Sequence, residues 1–189
     1  MIRFERVPEP ADFDQMARVP GNAWLEANPN KKPKDLWTPF KGPLADGFRN
    51  LCAYSAMYEP VGTVDHFVSD NEDRSKAYDW ENYRYSAQWI NSSKSSMPAA
   101  CLLDPFDVEN GWFEVLLPDL QLRVSNTIPN EFRDRAEYVL TRLHLRNDER
   151  VMRQRREWYR MYEAGEISRD GLEGKAPMIA AAVKKTLEQ

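Results

Sequence analysis

Residues 79–94 read DWENYRYSAQWINSSK and follow VDHF at residues 64–67. The longer stretch carries two asparagines, Asn82 and Asn91, and the shorter one carries His66, one of two histidines in the chain. Asparagine is common as a cap of helices and turns, so each asparagine taken singly has an ordinary structural explanation. The alternative is that both asparagines and the histidine belong to a single site, and the interpretation of the whole sequence depends on this choice.

Composition places the chain among folded globular proteins. With 189 residues, of which 42% are hydrophobic and 12% aromatic, it can form one domain with its own core. No apolar run approaches the ~20 residues of a membrane span, and the first residues, MIRFERVPEP, lack the apolar stretch of a signal peptide. Cys52 and Cys101 are far apart and form no CxxC pair, which fits a reducing compartment. We therefore expect a cytoplasmic protein without a structural disulfide.

The net charge of −4 does not indicate a nucleic-acid-binding protein as a whole. Residues 131 to 160, however, contain nine arginines and six acidic residues. The net charge of this stretch is therefore +3, and that of the rest of the chain is −7. Arg153 and Arg156 within RVMRQRREWYR, residues 150–160, are candidates for contacting a nucleic-acid backbone. A helix with acidic partners one turn away and a solvated basic side explains the same pattern equally well.

The hydrophobic pattern predicts an α+β fold that is mostly helical. Its elements are a short helix near residues 12–17, a helix from about residue 43 to 57, a short strand in GTVDHFV, a small β element in residues 111–117 and 120–124, a helix capped by Asn130, another capped by Asn147, and a terminal helix from Pro177. Residues 1–42, broken by prolines, are expected to form an irregular arm whose Trp24, Trp37 and Phe40 pack onto the main body.

The two histidines lie in different surroundings. His144 stands between leucines in LTRLHLRN, as a structural histidine on a helix does, whereas His66 follows Asp65 at the end of a predicted strand, where reactive side chains are commonly displayed. Hydrolysis of a phosphodiester requires a base, a cation and a fixed geometry between them. A hard cation such as Mg²⁺ prefers oxygen ligands, which Asp65 and Asn91 can supply.

This pattern resembles the ββα-metal fold of HNH endonucleases. In that family an Asp-His pair ends the first strand, a central Asn follows, and a final His or Asn lies on the helix. Here Asn82 comes sixteen residues after His66, Asn91 nine further on, and Lys94 three beyond, a spacing similar to that in the HNH domain of the CRISPR RNA-guided nuclease. The resemblance implies an HNH-like ββα-metal core in residues 43–128, with C-terminal helices in residues 129–189 of the same globule.

The resemblance also implies roles for individual residues. His66 would be the general base that activates water, and Asp65 and Asn91 would ligate one Mg²⁺ or Mn²⁺ ion. Asn82 would brace the loop that orients His66, and Lys94 would lie near the phosphate. The implied activity is hydrolysis of DNA phosphodiester bonds that leaves 5′-phosphate ends.

Weaker similarities extend along the chain. Stand-alone bacterial HNH proteins share pieces similar to MIRFER at the N-terminus, CAYS at 52–55, WENY at 80–83, DPF at 104–106 and LHLRN at 143–147. The HNH subunit of Septu-type anti-phage systems is the relative we consider most similar. That similarity implies a use in phage defence and an ATPase partner subunit.

The sequence departs from many such proteins at the positions of a structural zinc site. Two CxxC pairs hold that zinc, and the corresponding positions here are Cys52, Ser55, Ala87 and Ile90. One thiol of four cannot form a tetrahedral zinc site, so no structural zinc is expected. We expect Ile90, Trp89 and Phe48 to fill the same space by packing.

Two other functions are compatible with the same residues. One is a degenerate HNH module that binds nucleic acid or a partner protein without cutting, which the lost cysteines and the acidic loop at residues 70–73 favour, since that loop would repel phosphate. The other is a purely structural helical adaptor in which Asp65 and Asn91 do not meet. A plasmid-cleavage assay separates the first from an endonuclease, and a structure tests the second.

Overall fold

A strand–loop–strand–helix unit lies at the centre of the computed structural model, which describes residues 1–117 and 119–188. Strand β1 (Thr63–His66) pairs antiparallel with β2 (Tyr83–Ser86), so that His66 lies opposite Tyr83. The predicted strand in GTVDHFV is thereby confirmed.

The helix of this unit, α3 (Gln88–Lys94), follows β2 with Ala87 alone between them. A second short helix, α2 (Lys41–Gly47), precedes the unit along the chain. Together with the elements given below, they make the fold α+β, as the sequence predicts.

The helix predicted from about residue 43 to 57 is wrong in its length, since α2 ends at Gly47. Arg49 and Asn50 adopt left-handed backbone conformations, with φ of 56° and 54°, and a helix cannot continue through them. The chain then reverses, and Leu51 forms an isolated antiparallel bridge with Tyr58. The apolar residues at three- and four-residue steps are buried, as expected, but only Leu44 lies in α2, while Phe48, Leu51 and Ala56 lie in the turn that follows it.

The loop that joins β1 to β2 is built from two short 3₁₀ turns, Arg74–Tyr78 and Trp80–Asn82. Each is preceded by an aspartate whose carboxylate accepts a backbone N–H: Asp73 from Ser75, and Asp79 from Glu81. These caps fix the path of the loop and bring Asn82 to the start of β2.

The N-terminal arm contains more helix than predicted. A π-helical turn, Asp14–Arg18, runs directly into α1 (Val19–Ala27), where a short helix near residues 12–17 was expected. The arm packs onto the body through aromatic rings, with the centroid of Phe13 5.1 Å from that of Trp80. Of the three aromatic residues expected to pack, Phe40 is buried, and Trp24 and Trp37 are half-buried.

The C-terminal half pairs a small sheet with helices. Strands β3 (Phe113–Val115) and β4 (Leu122–Val124) are antiparallel and confirm the second β element. They are followed by α4 (Asn130–Arg142), α5 (Glu149–Glu163), α6 (Arg169–Lys175) and α7 (Pro177–Leu187), of which α7 begins at the predicted proline. No helix in residues 1–117 and 119–188 is long and apolar enough to cross a membrane.

Both predicted asparagine caps are wrong by one residue. Asn130 is the first residue of α4, and Pro129 precedes it without a side-chain cap. At α5 the cap is Asp148, not Asn147, and its carboxylate accepts the N–H of Arg150. The hydrogen bond from the Arg150 guanidinium, with that from the backbone N–H, lowers the pKa of Asp148 to about 2. A carboxylate at a helix N-terminus also complements the helix dipole, which favours aspartate there.

One buried cation organises the C-terminal half. Arg155, on α5, is 2% exposed and donates hydrogen bonds to the carbonyl oxygens of Leu145 (2.6 Å), Arg146 (2.8 Å) and Leu120 (3.2 Å). It thereby ties α5 to the turn after α4 and to Leu120, two residues before β4. Burial lowers the pKa of Arg155 to about 10, so the side chain stays charged at neutral pH.

We expect Arg155→Ala to lower the free energy of unfolding by roughly 3 kcal/mol, because three buried carbonyl groups lose their donor and a cavity remains. The adjacent Arg156 is exposed, and Arg156→Ala is expected to change the free energy of unfolding by no more than about 0.5 kcal/mol. Urea denaturation of both variants measures the difference. Equal effects would contradict the structural role assigned to Arg155.

Candidate active site

His66 lies at the end of β1, with its ring enclosed on two sides by aromatic residues. The ring centroid is 4.5 Å from that of Trp37 and 5.0 Å from that of Tyr83, both in edge-to-face arrangements. Trp37 comes from the N-terminal arm and Tyr83 from the opposing strand. The imidazole is therefore held in one orientation while remaining half-buried, with part of its surface in contact with solvent.

The hydrogen bonds of His66 fix its tautomer. Its Nε2 lies 2.9 Å from the carbonyl oxygen of Ala77, which also accepts the phenol of Tyr83 at 2.8 Å. A carbonyl oxygen can only accept, so the proton of the neutral ring lies on Nε2 and Nδ1 carries a lone pair. Burial lowers the pKa of His66 below its ordinary value of 6.5, so the ring is neutral at pH 7.

The other ring nitrogen of His66 is not sealed in the interior. Among the described residues, Nδ1 of His66 has no hydrogen-bond partner, and no buried side-chain nitrogen or oxygen atom there lacks one. It follows that Nδ1 is accessible to water. A neutral imidazole with an accessible lone pair can accept a proton from a water molecule.

Asn82 ties together the two ends of the loop that follows His66. Its Oδ1 accepts the N–H of Val68 at 2.8 Å, and its Nδ2 donates to the carbonyl oxygens of Val68 (2.9 Å) and Lys76 (3.0 Å). The side chain is 5% exposed and uses each of its hydrogen-bonding atoms on loop backbone. Because Ala77, which orients the imidazole, directly follows Lys76, these bonds position the partner of His66.

Asp65 lies on the other side of β1 from His66, since successive side chains of a strand point to opposite faces. It is 1% exposed, and both of its oxygens are engaged: Oδ2 accepts the phenol of Tyr54 at 2.5 Å, and Oδ1 lies 3.1 Å from Nζ of Lys94. Lys94 also donates to the main-chain carbonyl of His66 at 2.6 Å. The Asp-His pair of the sequence thus separates into a solvent-facing imidazole and an interior carboxylate.

Asn91 and Lys94 project from the same face of α3, as residues three apart do. Nδ2 of Asn91 lies 3.4 Å from the carbonyl oxygen of Val64, and Lys94 reaches the next two residues of β1. Where α3 packs on β1, the structure therefore brings Lys94 to the carboxylate of Asp65 and Asn91 to the backbone of Val64. Lys94, predicted to lie near a phosphate, is instead completely buried.

The arrangement does not fit a divalent cation on Asp65 and Asn91. Carboxylate and amide oxygens are suitable ligands for Mg²⁺ or Mn²⁺ in chemical type. The carboxylate of Asp65, however, is shielded from solvent and is already neutralised by the ammonium group of Lys94 at 3.1 Å. A metal ion bound to the same carboxylate would lie close to that ammonium group and would be repelled by it. Elsewhere in the described residues, no three His, Cys, Asp or Glu side chains group in a way that could hold a metal ion.

Two of the four positions that correspond to zinc ligands, Cys52 and Ala87, are in contact. Sγ of Cys52 accepts the N–H of Ala87 at 3.4 Å and is 3.8 Å from Oγ of Ser86. Ile90 and Phe48 are fully buried in the surrounding core, whereas Trp89 is half-buried and stacks under the guanidinium of Arg150 at 4.1 Å. Both cysteines of the chain are free thiols.

The arginines of α5 form a less continuous basic surface than the sequence suggests. Arg153 is highly exposed but lies 3.1 Å from Glu149, one turn away, and Arg160 pairs with Glu157 and Glu166. Arg156 has no ion-pair partner among residues 1–117 and 119–188 and lines a surface groove of about 600 Å³. The pairing favours a solvated helix face, and a contact of Arg153 and Arg156 with nucleic acid remains a prediction.

Two residues of the site were not identified from the sequence. Tyr54 binds the carboxylate of Asp65, and Trp37 encloses the His66 ring. Tyr54 stands within CAYS, beside the position of a lost zinc ligand, which was the only local signal available. Trp37 is distant in sequence and reaches the site only because the arm folds back.

Comparison with known proteins identifies no family for this chain. No family model matches the sequence, and no curated protein matches it.

The lowered pKa of His66 predicts a specific pH dependence of stability. Between the folded pKa and the unfolded value of 6.5, the unfolded chain binds more protons, so stability falls as the pH drops below 6.5. We expect His66→Asn to remove this contribution. Urea unfolding at about pH 7.5 and about pH 5.5 should give a larger loss of stability for the wild type than for the variant, and equal losses would contradict a lowered pKa of His66.

The two asparagines should differ in their effect on stability. We expect Asn82→Ala to lower the free energy of unfolding by roughly 2–3 kcal/mol, because it removes three loop hydrogen bonds. Asn91→Ala, which removes one long hydrogen bond, is expected to cost less than about 1 kcal/mol. Denaturant titrations of both variants compare them directly, and a reversed order would show that Asn82 does not hold the loop.

Proposed function

We propose that this protein is an HNH-type endonuclease that hydrolyses DNA phosphodiester bonds, with His66 as the general base. The strand–loop–strand–helix unit formed by β1, β2 and α3 supports this proposal, because it matches in order and connection the ββα arrangement that the sequence resembles. His66 stands at the end of the first strand, Asn82 precedes the second strand, and Asn91 lies on the helix.

The single observation that carries the proposal is the hydrogen bond from Nε2 of His66 to the carbonyl of Ala77. It places the ring proton away from solvent and leaves Nδ1 free to accept one. General bases are commonly oriented in this way, by a fixed acceptor on the nitrogen that does not react.

In the proposed reaction, Nδ1 of His66 takes a proton from a water molecule as its oxygen attacks phosphorus. The bond from phosphorus to the 3′ oxygen breaks, and the departing oxygen takes a proton from solvent while the imidazolium of His66 returns its proton to solvent. The products are a 3′-hydroxyl and a 5′-phosphate. The loop bonds of Asn82 and the rings of Trp37 and Tyr83 hold the imidazole in place, so little reorganisation is required in the transition state.

The resemblance assigns neutralisation of the phosphate charge to one Mg²⁺ or Mn²⁺ ion on Asp65 and Asn91. Since the present arrangement of these residues does not fit an ion, no step of the reaction is assigned to it here. The same resemblance extends the proposal to phage defence with an ATPase partner subunit.

A second candidate function is a module that binds nucleic acid or a partner protein without cutting. The observation that favours it is the closure of the Asp65 carboxylate by Tyr54 and Lys94, which leaves the imidazole without a neighbouring cation site. Under this alternative, His66 keeps its geometry as part of the folded scaffold only.

The test is cleavage of supercoiled plasmid DNA by the purified full chain in Mg²⁺ or Mn²⁺. We expect nicked and linear products with 5′-phosphate ends, and we expect His66→Asn to reduce the rate by about a hundredfold or more, since the base is lost. The matched control is His144→Asn, because His144 is exposed and has φ of 55°, a left-handed conformation that asparagine tolerates.

Cleavage that survives His66→Asn would refute His66 as the base, and equal losses in the two histidine variants would point to instability. Absence of cleavage together with intact DNA binding, measured by gel shift, would favour the second candidate.

A further inference from the structure

We infer that the ammonium group of Lys94 and a divalent metal ion compete for the carboxylate of Asp65, so that Lys94 must leave before the site can bind a metal. The inference rests on the proposed function in one respect, namely that this carboxylate is the position at which an ion would be required. It assigns Lys94 a role as an internal counterion that holds the site closed.

The contacts of Lys94 are those of a bound cation. Its Nζ lies 3.1 Å from Oδ1 of Asp65 and 2.6 Å from the main-chain oxygen of His66, so a carboxylate and a carbonyl coordinate it. These are the oxygen types that hard metal ions take as ligands. The side chains of both Lys94 and Asp65 are almost completely buried, where a charged group is found only when it is paired.

Simultaneous occupancy is electrostatically unfavourable. The Asp65–Lys94 pair is neutral, and the neighbouring ion pair between Arg84 and Asp104 is neutral as well. A divalent ion added beside Lys94 would leave two excess positive charges in the interior, at a distance of a few ångströms from the ammonium. Exchange of the ammonium for the ion leaves a single excess charge, so binding favours departure of Lys94.

The position of Lys94 in the fold allows that departure. It is the last residue of α3, and Ser95 after it has φ of 48°, which ends the helix. Ser95 and Ser96 are exposed. A side chain at the last turn can reorient towards solvent without breaking hydrogen bonds in the middle of the helix.

The experiment uses Mn²⁺ alone as the probe, without DNA. Binding of Mn²⁺ is followed by electron paramagnetic resonance of the free ion, and thermal unfolding is recorded with and without Mn²⁺. We expect Lys94→Met to bind Mn²⁺ about tenfold or more tightly than the wild type, and its melting temperature to rise with Mn²⁺. The double variant Lys94→Met/Asp65→Asn should lose this gain. The control is Lys184→Met, on α7, where the lysine is exposed.

Each outcome decides the question. Binding to Lys94→Met that is no tighter than to the wild type, or a gain that persists without the Asp65 carboxylate, would overturn the inference. Lys94→Gln, which keeps a donor for the carbonyl of His66, is measured in parallel in case Lys94→Met does not fold. Folding of either variant only in the presence of Mn²⁺ supports competition, and failure of both to fold with Mn²⁺ refutes it.

These results are distinguishable from those of the cleavage assay. Tighter Mn²⁺ binding by Lys94→Met without DNA cleavage by the wild type would uphold the competition and refute the nuclease. Cleavage by the wild type, with unchanged Mn²⁺ affinity in Lys94→Met, would uphold the nuclease and refute the competition.

Discussion

A carboxylate and an ammonium group meet in the interior where α3 packs on β1, and the arrangement of the site depends on this contact. Lys94 binds both the side chain of Asp65 and the backbone of His66, while Tyr54, from the turn before β1, binds the second carboxylate oxygen. Three segments of chain are thereby fixed in relation to one another. Because a buried ion pair is costly to desolvate and strict in geometry, it specifies position more than it adds stability.

The alternation of side chains along β1 divides the site into an interior half and a solvent-facing half. Asp65 points towards α3 and is sealed, whereas His66 points towards the arm and the loop, where Nε2 is held by a carbonyl and Nδ1 meets water. The imidazole is thus held in one orientation while the adjacent carboxylate is satisfied internally. The proposed competition for Asp65 would join these two halves by movement of Lys94.

Several features could be predicted because they depend on local sequence. The alternation and β-branched residues of GTVDHFV specify β1, and Pro177 begins α7 because proline has no N–H to lose at the first turn. Other features could not be predicted from local sequence. The helix expected through residue 57 ends at Gly47, because left-handed residues and a bridge from Leu51 to Tyr58 follow it. The spacing of apolar residues does not distinguish a buried turn from a helix. The cap of α5 was misplaced by one residue because Asn147 and Asp148 are both good caps in isolation.

The sequence by itself determined the α+β class and the strand that ends in His66, because these follow from short-range pattern and spacing. Only the tertiary structure decided what those residues bind. The partner of Asp65 depends on which side chain of α3 reaches the interior face of β1, and here it is the ammonium group of Lys94. The orientation of the His66 ring depends on the carbonyl of Ala77, eleven residues away. Both are contacts between segments that only folding brings together, and their geometry cannot be inferred from the spacing of residues along the chain.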